Sequence, residues 1–208
     1  MLRARSDEAK DERRQVLLKA ALDEFFEKGF SATRMNDIAR RAKLSKGTLY
    51  LYFDSKEAMF RALLEAFVSP NLEMIEQIAE NARDLKEAVS SICRVAPLLI
   101  RHTDMPRLMK VMVGDSHMFP QLVRAYREEL IEQILGLVSD VLRRAHAAGE
   151  AEVEDPELTA RIVVAPLVLS GMWQAMFNVN NDADVDLERL FQIHEHMMLK
   201  ALAPGSAS

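Results

Sequence analysis

The residues whose types and spacing best suit chemistry lie between Thr33 and Lys56. Lys46, Gly47, Thr48, Tyr50, Tyr52 and Lys56 fall within about three helical turns and share an outward face that packing does not require. These groups suit DNA. Thr48 offers a hydroxyl and a methyl to base edges, and Gly47 lets backbone approach the floor of a major groove closely. Tyr50 can stack, touch a thymine methyl or bond a phosphate. Lys46 and Lys56 supply charge to phosphates, while Thr33 and Tyr52 can donate hydrogen bonds to phosphate oxygens, and helix N-terminal amides add to the attraction. Arg34 and Ser45 stand at the starts of the two helices that carry this face. Arg13 and Arg14, on a preceding helix, either add charge beside a DNA backbone or form a solvated face.

Two short helices must position these groups. Thr33 is expected to cap one running to about Ala42, and Ser45 another running to Phe53, with a tight turn at Lys43-Leu44-Ser45 between them. This is helix-turn-helix spacing. Ile38 and Ala42 give the first helix an apolar side, Leu49 and Phe53 the second, Leu44 plugs the turn, and Ala39 and Ala42 permit close approach. A helix over about 7–28 precedes them, with Ser6 or Asp7 as N-cap, an apolar stripe of Val16, Leu17, Ala20, Ala21 and Phe25, and Gly29 as a left-handed stop. Ser55-Lys56-Glu57 opens a long helix.

The rest reads as helix too. Apolar residues recur at three- and four-residue spacing, without sustained alternation, and only 7 Gly and 7 Pro punctuate 208 residues. Helices are expected near 70–82, 84–101, 105–114, 118–148, 156–180 and 186–202, with Pro70 kinking or restarting a helix and Pro97 and Pro166 bending theirs. Ala147-Ala148-Gly149-Glu150 ends one helix and Asp155-Pro156 starts the next. The fold class is all-α: a three-helix helix-turn-helix headpiece over 1–56 and a helical regulatory domain over 57–208.

The formal net charge of −5 argues at first against a nucleic-acid partner. The average conceals segregation: residues 1–56 carry 13 Lys and Arg against 9 Asp and Glu, and the remainder carries the acidic excess. Such asymmetry is expected where one end meets a polyanion. Apolar runs are broken by charge before reaching the roughly 20 residues of a membrane span, and the charged start lacks a signal peptide's apolar core, so no membrane partner and a cytoplasmic location are expected. The single cysteine, Cys93, excludes an internal disulfide and a cysteine-built zinc site, and it fits a reducing compartment as a small core residue.

Thr33, Asp37-Ile38-Ala39, Ala42, Leu44-Ser45-Lys46-Gly47-Thr48-Leu49-Tyr50, Tyr52-Phe53 and Ser55-Lys56-Glu57 together resemble the headpiece signature of the TetR (tetracycline repressor) family. The tyrosine-rich recognition helix followed by Ser-Lys-Glu sets this apart from other helix-turn-helix groups. Two positions depart from the family pattern. Lys43 stands where glycine is usual, so a left-handed lysine there costs about 1 kcal/mol. Leu51 stands where a polar or aromatic DNA-contacting residue is common.

The resemblance implies a dimeric, ligand-responsive transcriptional regulator, a repressor or an activator, bound to a palindromic double-stranded DNA operator. It also implies that 156–180 and 186–202 form a four-helix bundle with a second copy. Leu158, Ile162, Leu169, Trp173, Leu187, Leu190, Phe191, His194, Met197 and Met198 are then candidate contacts, with Ser170-Gly171 allowing close approach. Twelve methionines is many for this length, and Met105, Met109, Met112, Met118 and Phe119 cluster before one helix while Trp173, Met176 and Phe177 cluster late. Of these, Met105, Met109, Met112, Phe119, Trp173, Met176 and Phe177 are the candidate lining of an apolar effector pocket. His102, His117, Cys93 and Gln174 are its candidate polar fixtures, and Pro97 and the break near Gly114 are places where motion could be transmitted. Each methionine equally fits plain core packing.

An enzyme is the rival class. His194-Glu195-His196 is the nearest approach to a metal motif, but side chains at i and i+2 diverge on a helix. No phosphate loop, nucleotide fingerprint or nucleophile elbow is present. No catalytic residue, metal or cofactor is therefore expected. A ligand-independent DNA-binding protein is the remaining alternative, and it would need no internal cavity.

Overall fold

The computed structural model describes residues 2–115, 119–177 and 184–205, and among them the chain is helical with no strand. The helices are α1 (Leu2–Lys28), α2 (Met35–Arg41), α3 (Lys46–Tyr50), α4 (Lys56–Asn81), α5 (Leu85–His102), α6 (Met105–Asp115), α7 (Pro120–Tyr126), α8 (Glu132–Ala147), α9 (Pro156–Phe177) and α10 (Leu187–Ala201). A π-helical turn, Arg127–Ile131, joins α7 to α8, so the expected single helix near 118–148 contains an irregular turn. Of the two outcomes expected at Pro70, the restart is absent, and α4 runs through it as one helix.

Local sequence explains most boundaries. Gly29 takes φ +82° and its amide bonds to the Phe25 carbonyl at 2.9 Å, which ends α1 as the sequence indicates. The N-cap expected at Ser6 or Asp7 is not used, since α1 is already helical from Leu2. Asp84, Asp155 and Asp186 accept hydrogen bonds from amides three residues on, at 2.7, 2.9 and 2.9 Å, and so cap α5, α9 and α10. Gly149, at φ +74°, with the Glu150 amide bonded to the Ala145 carbonyl at 2.9 Å, closes α8.

Two compact units emerge. The first comprises residues 1–67 and 110–124, so it is larger than the expected 1–56 headpiece; the second comprises 68–109 and 125–208. In the first, α1 buries Leu17, Leu18, Ala21, Leu22 and Phe25, while Val16, expected in that stripe, is about half exposed. The rings of Phe25, Phe30 and Phe60 form a mutual cluster with centroids 4.8–6.0 Å apart, and Phe119 meets Phe30 edge-on at 4.5 Å. In the second, Leu85, Val89, Cys93, Ala96 and Ile100 form one face of α5. That face shares a core with Val138 and Leu142 of α8, Ala160 and Val163 of α9, and Leu187, Phe191 and Met198 of α10. Cys93 is a buried part of it, and burial pushes the thiol up to about 11, which keeps it an unreactive core residue.

Candidate nucleic-acid interface

The helix-turn-helix is built on three buried apolar residues. Ile38 of α2 and Leu49 of α3 are fully buried and Phe53 nearly so, while Ala39 is buried in α2. Between the helices Lys43 takes φ +56°, the left-handed conformation in which a lysine side chain is strained. Ser45 caps α3 as expected: its hydroxyl accepts the Thr48 amide at 3.0 Å and lies 2.8 Å from the Thr48 hydroxyl.

The outward face holds most of the expected residues. Arg34, Ser45, Lys46, Gly47 and Tyr50 are exposed and Thr48 and Tyr52 half-buried. The Lys46 ammonium lies 5.7 Å from the Tyr50 ring centroid. Leu51, just past the helix end, is 81% exposed. Gly47 has an ordinary φ, and a Cβ added to it would meet only the Ser45 hydroxyl oxygen, at 3.8 Å. Neither backbone conformation nor internal packing therefore requires glycine at this position.

Two expected contacts are engaged within the protein itself, Thr33 in the interior and Lys56 half-buried. Thr33 is 1% exposed, and its hydroxyl donates to the carbonyls of Gly29 at 2.8 Å and Glu24 at 3.1 Å, so it is not presented to a phosphate. Nor does it cap α2; Arg34 occupies that position with no side-chain cap. The Lys56 ammonium donates to the carbonyls of Phe30 at 2.7 Å and Ser31 at 3.2 Å and sits 4.8 Å above the Phe30 ring. Burial lowers its pKa, and two of its ammonium hydrogens hold the corner after α1.

The basic excess of the headpiece is likewise partly internal. Arg41 pairs with Glu24 at 2.7 Å and with Glu27, Arg40 with Asp37 at 2.5 Å, and Lys28 with Glu24. Arg14 lies 5.6 Å from the Phe53 ring, on the side of α1 that meets the end of the helix-turn-helix. Sequence reasoning missed Asp115 entirely. Its carboxylate accepts the Phe30 amide at 2.7 Å and the Ser31 hydroxyl at 2.6 Å, and no local signal marks such a long-range partner.

The seven residues expected to line an effector pocket are not gathered into one site within either unit. Met112 and Phe119 belong to the first unit, where with Phe30, Phe60 and Asp115 they border a cavity of only about 10 Å³. Met105 and Met109 belong to the second, with the Met109 sulfur 3.2 Å from where a Cβ on Gly171 would stand. Gly171 and Ser170 are buried, so the small pair makes room for Met109 and not for a partner helix. Trp173, Met176 and Phe177 are 41–53% exposed, on the surface of α9, with the Trp173 and Phe177 rings 4.9 Å apart. Of the expected polar fixtures, His102 is exposed, Cys93 is core, and His117 lies outside the described residues, as does Met118. The second unit holds an apolar void of about 20 Å³, room for about one water, between α4, α5, α8 and α9, lined by Ile75, Val89, Ile92, Val138, Val141 and Val163 among others.

The expected dimer contacts divide. Leu158, Ile162, Leu169 and Trp173 repeat along one exposed face of α9, and Met197 is exposed on α10. Leu187, Phe191 and Met198 are buried in the unit's own core, and His194 bonds to the Val163 carbonyl at 3.0 Å. One sequence expectation also changes: α9, with only Glu157 and Arg161 charged, is long and apolar enough to cross a membrane by length and composition. Among the described residues no group of three or more His, Cys, Asp or Glu is placed to hold a metal ion.

Comparison with known proteins agrees with this geometry. Residues 17–63 match the family described as bacterial regulatory proteins, tetR family, and residues 87–198 match the AefR-like transcriptional repressor C-terminal domain. The transcriptional regulator YfiR of Bacillus subtilis is 39% identical over 74 residues, a match that covers 36% of each chain. The transcriptional activator FasR of Mycolicibacterium smegmatis is 28% identical over 181 residues, covering 85% of this chain and 77% of that protein. The solved structure of the flavonoid-responsive regulator FrrA superposes with a TM-score of 0.64 at 28% identity, covering 94% of this chain and 99% of that one. The chain belongs to the TetR family of transcriptional regulators.

Proposed function

We propose that this regulator is a homodimeric repressor that grips a two-fold symmetric operator through the α2–α3 face and releases it on binding an apolar small molecule. Gly47 carries the DNA half of this reading. Glycine in a helix is about 1 kcal/mol less favourable than alanine, and here nothing inside the protein calls for it, so the space it leaves is best explained by close approach of DNA backbone or bases. Arg34 and Lys46 supply phosphate charge, Ser45 and Tyr52 donate to phosphate oxygens, and Thr48 and Tyr50 face the bases.

The homodimer is supported by the apolar stripe on α9, where Leu158, Ile162, Leu169 and Trp173 lie exposed at helical spacing. A stripe of that extent calls for a covering partner, and a second copy burying the same stripe does so by two-fold symmetry. This assignment also accounts for the apolarity of α9 without a membrane, and a DNA target supports a cytoplasmic location. Repression follows from the AefR-like repressor match, whereas the FasR relative keeps activation as the second reading. Release by an effector is supported by the flavonoid response named for FrrA. A ligand that prefers one arrangement of the two headpieces lowers DNA affinity by its differential affinity for the two states.

The test is selection of duplexes from a randomised pool by the full-length chain, followed by footprinting. Recovery of a two-fold symmetric site supports the proposal, and recovery of no preferred sequence overturns it.

A further inference from the structure

Major-groove recognition ordinarily relies on Arg or Lys against guanine and Asn or Gln against adenine. The segment from Ser45 to Phe53 contains no Arg, Asn or Gln, and its one cation within α3, Lys46, stands beside the Tyr50 ring. Its two small hydroxyls also pair with one another. The Ser45 hydroxyl accepts the Thr48 amide at 3.0 Å and pairs with the Thr48 hydroxyl at 2.8 Å, so one hydroxyl hydrogen is held within the pair and the γ-methyl is the part of Thr48 that makes no hydrogen bond. Gly47 adds an empty notch, and Leu51 stands one turn further along the same face, its amide 3.3 Å from the Gly47 carbonyl and its side chain 81% exposed. The centre of the outward face is therefore carbon, flanked by polar groups.

We propose that the face formed by Gly47, the Thr48 methyl and Leu51 reads the C5-methyl group of thymine, so that each operator half-site must present thymine to the end of α3. This rests on the reading of α2–α3 as the DNA-binding element and adds the chemistry that the element selects. Thymine is the base that offers an apolar group in the major groove, and burying one methyl against Leu51 is worth about fourfold in affinity. Leu51, which departs from the polar or aromatic residue common at its position, becomes the specificity-determining residue.

The experiment uses the full-length chain and the duplex recovered by selection, prepared once with thymine and once with uracil, which removes the methyl alone. Wild type is expected to bind the uracil duplex about three- to tenfold more weakly, and Leu51→Ala to show less than a twofold difference between the two. Thr48→Ser, which keeps the hydroxyl paired with Ser45 and deletes the methyl, is expected to shrink the difference in the same direction. Equal binding of both duplexes by wild type overturns the proposal. So does an equal drop in wild type and Leu51→Ala, which would assign the effect to DNA shape. Failure to select any preferred duplex would overturn the underlying DNA reading and the thymine proposal with it. Since Leu51 is 81% exposed, Leu51→Ala is expected to unfold at the wild-type temperature.

Discussion

Asp115, the last residue of α6, accepts a hydrogen bond from the Phe30 amide at 2.7 Å across 85 positions of sequence. Together with the Ser31 hydroxyl on the same carboxylate and Lys56 on the neighbouring carbonyls, this fixes the corner that leads from α1 into the helix-turn-helix. Asp115→Asn removes an acceptor from that corner and is expected to destabilise the first unit by about 1–2 kcal/mol. Denaturant unfolding checks the magnitude, and the accompanying DNA titration is expected to show weaker binding.

Lys43→Gly is expected to stabilise the protein by about 0.5–1 kcal/mol. Lysine at φ +56° is strained, glycine is not, and the gain is partly offset by the greater freedom of glycine in the unfolded chain. The change in unfolding midpoint measures it; a loss of stability would mean that the lysine side chain makes a compensating contact.

Ile162→Glu and Leu169→Glu place charge on a face of α9 that the folded chain leaves exposed, 60% and 68% at these residues. Each variant is expected to fold and to sediment as a monomer at micromolar concentration, where wild type is expected to sediment as a dimer. The corresponding change at Phe191, which is buried within the second unit, is expected to prevent folding instead.

Acid stability is expected to depend on Glu24. Its burial opposes the charged form, but hydrogen bonds from Lys28 and Arg41 outweigh that and hold the pKa below its ordinary value of 4.5. A depressed folded-state pKa contributes stability that is fully present above the ordinary value and is lost as pH falls through the folded one. Wild type should therefore lose stability below about pH 4.5, whereas Glu24→Gln should be less stable at neutral pH and show a shallower acid limb. Urea unfolding across a pH series distinguishes the two.

What was legible in the sequence was local. The Ser45 cap, the Gly29 stop, the turn at Lys43 and the buried positions of Ile38 and Leu49 depend on neighbours within a turn or two, and each stands where spacing puts it. The internal hydrogen bonds of Thr33 and Lys56 are not legible in the sequence, because their partners, the Glu24, Gly29, Phe30 and Ser31 carbonyls, are brought to them by folding. Periodicity on α10 marks apolar positions without saying which face looks inward, so Phe191 and Met197 read alike and end on opposite sides.

Gly47→Ala tests the central claim most directly, because stability and DNA binding are expected to move in opposite directions. With open space around the position, the variant should fold, remain dimeric and be as stable as wild type or more stable by up to about 1 kcal/mol. Its affinity for the selected duplex should fall at least about tenfold, in line with the loss of a close backbone contact in the groove. Wild-type affinity in Gly47→Ala would contradict the assignment of the α2–α3 face as the surface that meets DNA.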